Sequence, residues 1–355
     1  MISKDLTEIK SGRKERIKMI RGKQDDYPTL SEILQSYSAL QNKVENFVNM
    51  KPGFFFVFSA EKIEGSRGPY YICTVGDSRI RIESKAWIGD SGVIEPRAGH
   101  IALADYMHDE KYGLSIKVKR NFTPDEMEAY SAGSITKLIP VISNIAALRS
   151  EIQRLIESVK NEFLRELLDS LLGENGSCQE FFDSPAAKTY HHALIGGLAS
   201  HSLQVARYAL GIYELSPSRD SIDRDILVVA ALLHDIGKVK TYSTDDYAFE
   251  YTDRGQLEEH IAIGVRILER AIVKIDGFPE TLASELIHAI ISHHGELQYG
   301  SPVTPKTREA FILALCDNLD ARLDHFESMA ALTQEDSSWT EYSRMFQSRL
   351  YKGNH

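Results

Sequence analysis

Residues 226–239 read ILVVAALLHDIGKV. Residues 226–233 are apolar at every position, so a helix built from them has no solvent face and is buried on all sides. His234 and Asp235 close that run, where a buried imidazole and carboxylate are costly unless something compensates them. A bound cation would compensate both, since neutral imidazole and carboxylate are ordinary ligands of zinc, manganese or iron. Gly237 suits the helix end. Lys238 follows three and four residues after the pair, on the same face, where it could neutralise a phosphate. The dipeptide alone fits a capped helix end with a surface lysine equally well.

Outward from this stretch, the helical period dominates from residue 124 to the C-terminal region. Helices are predicted over 145–172, 184–213, 223–235, 256–275, 280–294 and 305–332, with only 249–252 extended. Several carry a polar residue where an apolar one belongs. His201 follows the glycine turn at Gly196-Gly197. His260 lies in the first turns of its helix, and His293-His294 end another at Gly295. Asp317 interrupts the apolar run 311–316. Each alone is the mark of a satisfied core residue. Together, facing helices that each aim a His or Asp inward are how all-α folds build metal sites.

The N-terminal half reads differently. Residues 29–49 place Leu30, Ile33, Leu34, Tyr37, Leu40, Val44 and Val48 at helical spacing, with Thr29 or Ser31 as cap. That apolar stripe needs a partner, either its own domain or a second copy in a homo-oligomer. Then come segments 54–59, 70–75, 79–87, 100–106 and 114–122, strand-like and separated by turns. Five at this spacing suggest a small barrel or sandwich. The fold class is therefore multidomain, a small β-barrel followed by an all-α domain. The expected boundaries are 1–50 (basic arm and helix), 51–123 (β domain), 124–183 (helical connector), 184–333 (all-α domain) and 334–355 (tail).

A chain of 355 residues suits two domains. No run is long and apolar enough for a membrane span or a signal peptide. Cys73, Cys178 and Cys316 form no CxxC pair, which fits a reducing, cytoplasmic location better than a disulfide framework. The net charge is −10. Residues 1–24 hold eight Lys/Arg and three Asp/Glu, a balance of +5. That stretch reads as a solvated arm or as a phosphate-contacting one.

The order His201…His234-Asp235…Asp317 resembles the HD superfamily of metal-dependent phosphohydrolases over residues 185–330. The strings HHALIGGLASHSLQVA (191–206), LLHDIGKV (232–239), SHHG (292–295), YGSP (299–302) and CDNLDAR (316–322) resemble more closely the YhaM-type 3′-to-5′ exoribonucleases. That family places an OB-fold before its HD domain, as residues 54–122 would do here. The resemblance implies two divalent ions, bridged by Asp235. His201, His234 and Asp317 would hold one; His260, His293 and His294 would complete the other. It implies single-stranded RNA or DNA as substrate. Manganese suits these ligands, as do iron, cobalt, nickel and zinc. Lys238 would hold a phosphate oxygen, Asp320 would orient a ligand, and His192 would protonate a leaving group or touch the terminal nucleotide.

An OB-fold binds single strands with basic residues and stacking aromatics. The candidates are Arg79, Arg81, Lys85, Trp87 and Lys119, with Phe54, Phe56, Tyr71, Tyr112, Lys117 and Arg120 beside them. Phe54, Phe56 and Phe58 alternate and could equally be core. Three functions are open at this point: a single-strand 3′-to-5′ exonuclease, an HD phosphohydrolase on nucleotides or cyclic dinucleotides, and a nucleic-acid-binding part of a DNA-processing system.

Overall fold

The computed structural model describes residues 27–33, 52–66, 68–77, 81–88, 92–109, 113–130, 138–139, 141–142, 144–187, 194–243, 249–333 and 337–353. They fall into two compact units. One is built mainly from residues 1–140 and the other mainly from residues 141–355.

Five strands form the first unit: β1 (Gly53–Gly65), β2 (Gly68–Gly76), β3 (Arg81–Trp87), β4 (Ile101–Asp109) and β5 (Gly113–Phe122). They close into a barrel in the order β1-β2-β3-β5-β4, with only the β3–β5 pair parallel. This is an OB-like barrel. Alternation sets its inside: Phe55, Val57, Cys73, Val75, Ala102, Ala104, Ile116 and Val118 are buried together. β1 pairs with both β2 and β4, and its register shifts between Val57 and Ser59, a bulge that lets one long strand turn the barrel's corner.

Of the predicted N-terminal helix, residues 29–33 are described, and residues 34–49 lie outside. Thr29 caps it: its Oγ1 accepts from the Glu32 N–H at 3.4 Å, and Glu32 Oε2 accepts from the Thr29 N–H at 2.9 Å. Leu30 and Ile33 pack into the barrel core, so this end of the stripe finds its partner in its own unit. Asp77 accepts from the Ser31 N–H (2.6 Å) and hydroxyl (2.8 Å).

Helix α1 (Pro124–Tyr130) follows the barrel, with Pro at its first position as its start signal predicts. The second unit is helical. The predicted helix over 145–172 is two, α2 (Ile145–Ser158) and α3 (Glu162–Leu172). Asn161 caps α3, and Asp225 Oδ2 accepts the Lys160 and Asn161 N–H groups at 2.8 Å each, fixing the break. Next come α4 (Gly197–Leu215), α5 (Arg224–Leu233) and the short α6 (Lys238–Thr241). A ribbon of β6 (Tyr242–Ser243) and β7 (Glu250–Tyr251) precedes α7 (Asp253–Ile272), α8 (Glu280–Ile291) and α9 (Arg308–Leu332). A second ribbon, β8 (Trp339–Ser343) and β9 (Ser348–Tyr351), ends the described chain. Neither β6 nor this last ribbon is predicted from the sequence.

Every residue of α5 from Ile226 to Leu233 is buried, as its continuous apolar run requires. Each of its buried Leu, Ile and Val side chains stabilises the fold by about 1.5–3 kcal/mol. Helices α3, α4, α8 and α9 pack around it. α4 starts at Gly196, whose φ of +80° is the left-handed conformation that glycine adopts freely. Among the described residues, no helix is long and apolar enough to cross a membrane.

Candidate metal centre

Five helical segments deliver the predicted side chains to one place. His201 stands on the second turn of α4, His234 and Asp235 leave the end of α5, and Asp317 lies midway along α9. His260 comes from α7, and His293 and His294 follow α8. His201, His234, Asp235 and His293 are buried.

The atoms sort into two groups. In the first, His201 Nε2 lies 3.1 Å from His234 Nε2 and 3.1 Å from Asp317 Oδ1, and 3.5 Å from Asp235 Oδ2. His234 Nε2 lies 3.4 Å from Asp235 Oδ2 and 3.6 Å from Asp317 Oδ1. In the second, Asp235 Oδ1 lies 3.4 Å from His260 Nε2 and 3.6 Å from His293 Nε2. The ring of His294 packs 4.2 Å from that of His293 and 5.2 Å from that of His260. Asp235 therefore gives one oxygen to each group.

The donor-atom distances, 3.1–3.6 Å, lie close to those of ligands sharing an ion. Atoms about 2.1 Å from one metal stand about 3.0 Å apart along an octahedral edge and about 3.4 Å along a tetrahedral one. Asp235 Oδ1, His260 Nε2 and His293 Nε2 are buried and have no hydrogen-bond partner among the described residues. Three orphaned polar atoms converging on one point are a large penalty unless a cation joins them.

The other ring nitrogens are anchored. His234 Nδ1–H donates to the Ala231 carbonyl (2.9 Å), His293 Nδ1–H to the Ile290 carbonyl (2.6 Å) and His294 Nδ1–H to the Tyr299 carbonyl (2.8 Å). Asp320 Oδ2 pairs with His201 Nδ1 at 2.7 Å, where it orients that ring as the resemblance implies. Each anchor fixes the tautomer that turns Nε2 and its lone pair into the cluster.

His260 arrives by a different device. Glu259 breaks α7 with φ 59° and ψ 158°, an extended conformation at positive φ that side chains resist. Its carboxylate comes to 3.8 Å from His260 Nδ1. The kink also drives the His260 carbonyl against Gly237. A Cβ on Gly237 would stand 1.9 Å from that oxygen, so glycine is required there for space rather than for a turn.

The cluster draws in positive charge. Burial works to raise the Asp235 carboxyl, yet Lys238, His234 and His260 hold it well below the carboxylate range. Burial likewise opposes ionisation of Asp317, which His201 and His234 carry well below its usual value. Burial depresses the His234 imidazole, but Asp235 and Asp317 lift it to about 10. Burial outweighs Asp235 at His260 and takes it down to about 3; His293 goes well below its usual value through burial and the His234 charge. Lys238 Nζ reaches Asp235 Oδ2 at 2.6 Å, so this lysine pairs with the central carboxylate. His192 lies outside the described residues.

On the barrel, Arg81, Lys85 and Trp87 alternate along β3 and face one way, opposite Gly76, Ile72 and Tyr70 of β2. Tyr70 and Trp87 pair with ring centroids 5.2 Å apart, and the Arg81 guanidinium lies 3.9 Å over the Phe58 ring. This is the β2–β3 face on which OB-folds bind oligonucleotides. Tyr70 is the residue the sequence reading misses; its alternation with Ile72 on β2 was the available signal. Lys119 is elsewhere, on β5, where Asp105 pairs with it at 2.6 Å. Phe54 and Phe56, offered as stacking residues, are buried and belong to the core. Tyr71 packs against the barrel core. Arg79 and Tyr112 lie outside the described residues.

These features define an HD-domain hydrolase, and residues 198–322 match the HD domain family, which implies divalent metal binding. The chain is 32% identical to the 3′-5′ exoribonuclease YhaM of Bacillus subtilis (strain 168) over 276 residues, 76% of this chain and 84% of the relative. It is 30% identical to that of Shouchella clausii (strain KSM-K16) over 77% of this chain and 83% of the relative. With the Listeria innocua protein of the same name the identity is 29% over 79% and 88%. The chain belongs to the YhaM family of HD-domain nucleases, and it is a hydrolytic enzyme. No solved structure gives a significant match.

Proposed function

We propose that the chain is a metal-dependent 3′-to-5′ exonuclease on single-stranded nucleic acid, RNA first and single-stranded DNA second. The observation that carries this is the divided Asp235 carboxylate. One oxygen faces His201, His234 and Asp317, and the other faces the orphaned nitrogens of His260 and His293. That arrangement suits two divalent ions sharing one carboxylate, with His294 as a further ligand of the second. When bound, such ions would supply Lewis-acid chemistry, activating a water and stabilising charge on the phosphate.

The chain's own residues do the rest. Asp235 fixes the spacing of the two groups. Lys238, held at 2.6 Å from Asp235, would take a non-bridging phosphate oxygen by leaving that pair when substrate arrives. Asp320 keeps His201 oriented. His192 remains a candidate proton donor to the leaving oxygen. On the barrel, Trp87 and Tyr70 offer base stacking, and Lys85 and Arg81 offer phosphate contacts, which would favour a polymer over a free nucleotide. The domain boundaries proposed for this reading are 51–123 for the binding barrel and 184–333 for the hydrolase. Manganese is the metal we favour, and the cytoplasm is the location; all three cysteines are buried and free.

The test is a 5′-labelled single-stranded RNA and its DNA counterpart, each incubated with protein and manganese, with Asp235→Ala as control. A ladder shortening from the 3′ end, lost in the variant, is expected. Intact polymers under manganese, iron, cobalt, nickel and zinc alike, with turnover of a nucleotide or cyclic dinucleotide instead, would overturn the proposal.

A further inference from the structure

The last ribbon carries aromatic rings that the metal centre does not use. On β9, Arg349 and Tyr351 are two residues apart and share a face. Opposite them on β8 stand Tyr342 and Trp339, so these join the same face. Residues three apart on a regular strand point opposite ways. Here the register shifts between Trp339 and Tyr342, and that extra residue brings both to one side. Trp339, Tyr342 and Tyr351 are 50%, 60% and 55% exposed, and the Trp339 and Tyr351 rings lie 5.1 Å apart.

The other side of the ribbon is clamped. Thr340 and Ser343 are buried, and Ser343 Oγ pairs with His325 Nε2 of α9 at 2.9 Å. Phe346, in the turn, stacks on His325 and takes the Arg322 guanidinium over its ring. Lys352 Nζ donates to the Thr333 carbonyl, at the end of α9, at 3.3 Å. A two-stranded ribbon alone is marginal, and these contacts make it a fixed platform.

Grouped exposed rings mark an interaction surface. Charge selects the occupant. The ribbon, residues 339–351, carries Arg344 and Arg349 against Glu341, a balance of +1 in a chain of −10. Arg344 and Arg349 are exposed. Arg349 is steadied by Nε–H donating to the Thr340 carbonyl at 2.8 Å. Stacking rings beside guanidinium groups are the chemistry that holds a single strand without regard to sequence.

We infer that the β8–β9 ribbon is a second single-strand-binding site, which grips substrate away from the scissile end. The inference rests on the single-strand nuclease reading above. Position supports it: α9 carries both Asp317 and the anchor His325, eight residues apart, about 12 Å along the helix. The ribbon and the metal centre are thus mounted on one helix.

The chain has two tryptophans, Trp87 and Trp339, so Trp87→Phe leaves Trp339 as the only indole. Full-length Trp87→Phe protein, treated with EDTA to stop cleavage, is titrated with oligouridylate while tryptophan emission and the anisotropy of a labelled oligomer are read together. The emission should change saturably, in step with anisotropy, and the change should weaken with salt. In the otherwise wild-type chain, Tyr342→Ala/Tyr351→Ala and Arg344→Glu/Arg349→Glu should each weaken binding by about tenfold, roughly one stacking contact. For long oligomers KM should rise with kcat unchanged. Saturated anisotropy with flat Trp339 emission sinks the inference, as does undiminished binding by both double variants. A change of sedimentation in those variants with RNA binding intact would make the ribbon a protein interface instead. Emission that responds in a protein cleaving no RNA under any metal would keep the binding site and remove the nuclease reading.

Discussion

Glu259 is the residue under most visible strain in the metal centre. Its φ of 59° with ψ of 158° is a region glycine enters freely and other residues enter at about 1–3 kcal/mol. The surroundings maintain it, because the kink is what turns His260 toward Asp235. Glu259→Gly should therefore raise the stability of the metal-free protein by about 1 kcal/mol, after the added flexibility of glycine offsets part of the gain. It should also weaken binding at the second metal group, because the carboxylate near His260 Nδ1 is lost. Thermal unfolding in EDTA and metal stoichiometry by elemental analysis read the two effects separately. A variant less stable than wild type would remove strain from the account. None of this is legible in the sequence: Glu is a good helix former, and nothing near residue 259 announces a break.

At the level of elements, the loop after α5 and the kinked α7 meet at Gly237. Gly237→Ala puts a methyl group into the His260 carbonyl, and backbone cannot yield as a side chain tip does. The expected loss is about 3 kcal/mol, with loss of metal at both groups; a chemical-denaturation curve with unchanged midpoint would contradict it. The barrel makes a milder prediction. Trp87→Ala with Lys85→Ala strips the outer face of β3 and leaves the inner face untouched. Single-strand affinity should fall by roughly tenfold or more while the melting temperature holds, and an anisotropy titration with unaltered affinity would count against this face. These elements differ in how well the sequence announces them. α5 is plain because eight apolar residues in a row leave no other fate. The five barrel strands are plain from alternation and turns, though β1 runs six residues further than its apolar start suggests. The break between α2 and α3 is hidden, since neither glycine nor proline marks it and Asp225, far away in sequence, completes it. Ribbons of two to five residues are too short to show a period.

The whole molecule depends on what balances the charge at its centre. The candidate residues stand out in the sequence because His and Asp interrupt apolar helices; their grouping around the two oxygens of Asp235 was implied only by family resemblance, because spacing carries no information on which oxygen faces which nitrogen. The electrostatics now give a pH prediction. In metal-free protein His201 and His234 are raised above the ordinary imidazole value, the latter to about 10. Groups raised on folding stabilise below their unfolded pKa of about 6.5 and lose that contribution as pH climbs toward 10. His260 and His293 are depressed, so they act oppositely: the unfolded chain takes up protons below about 6.5 that the folded chain refuses, and stability falls as pH drops. The metal-free protein should therefore be most stable near neutrality and weaken on either side. On the proposed ligand set, a divalent ion would displace the protons on His201 and His234, so its binding should release protons and tighten with rising pH. Added manganese should raise the melting temperature by an amount that grows from pH 6 to pH 9, reaching about 2.7 kcal/mol of stabilisation when the ion is at a hundred times its dissociation constant. Calorimetry in buffers of different ionisation enthalpy measures the proton release directly. A melting shift that is flat across this range, with no protons released, would mean that His201, His234 and the other proposed ligands do not hold the ion.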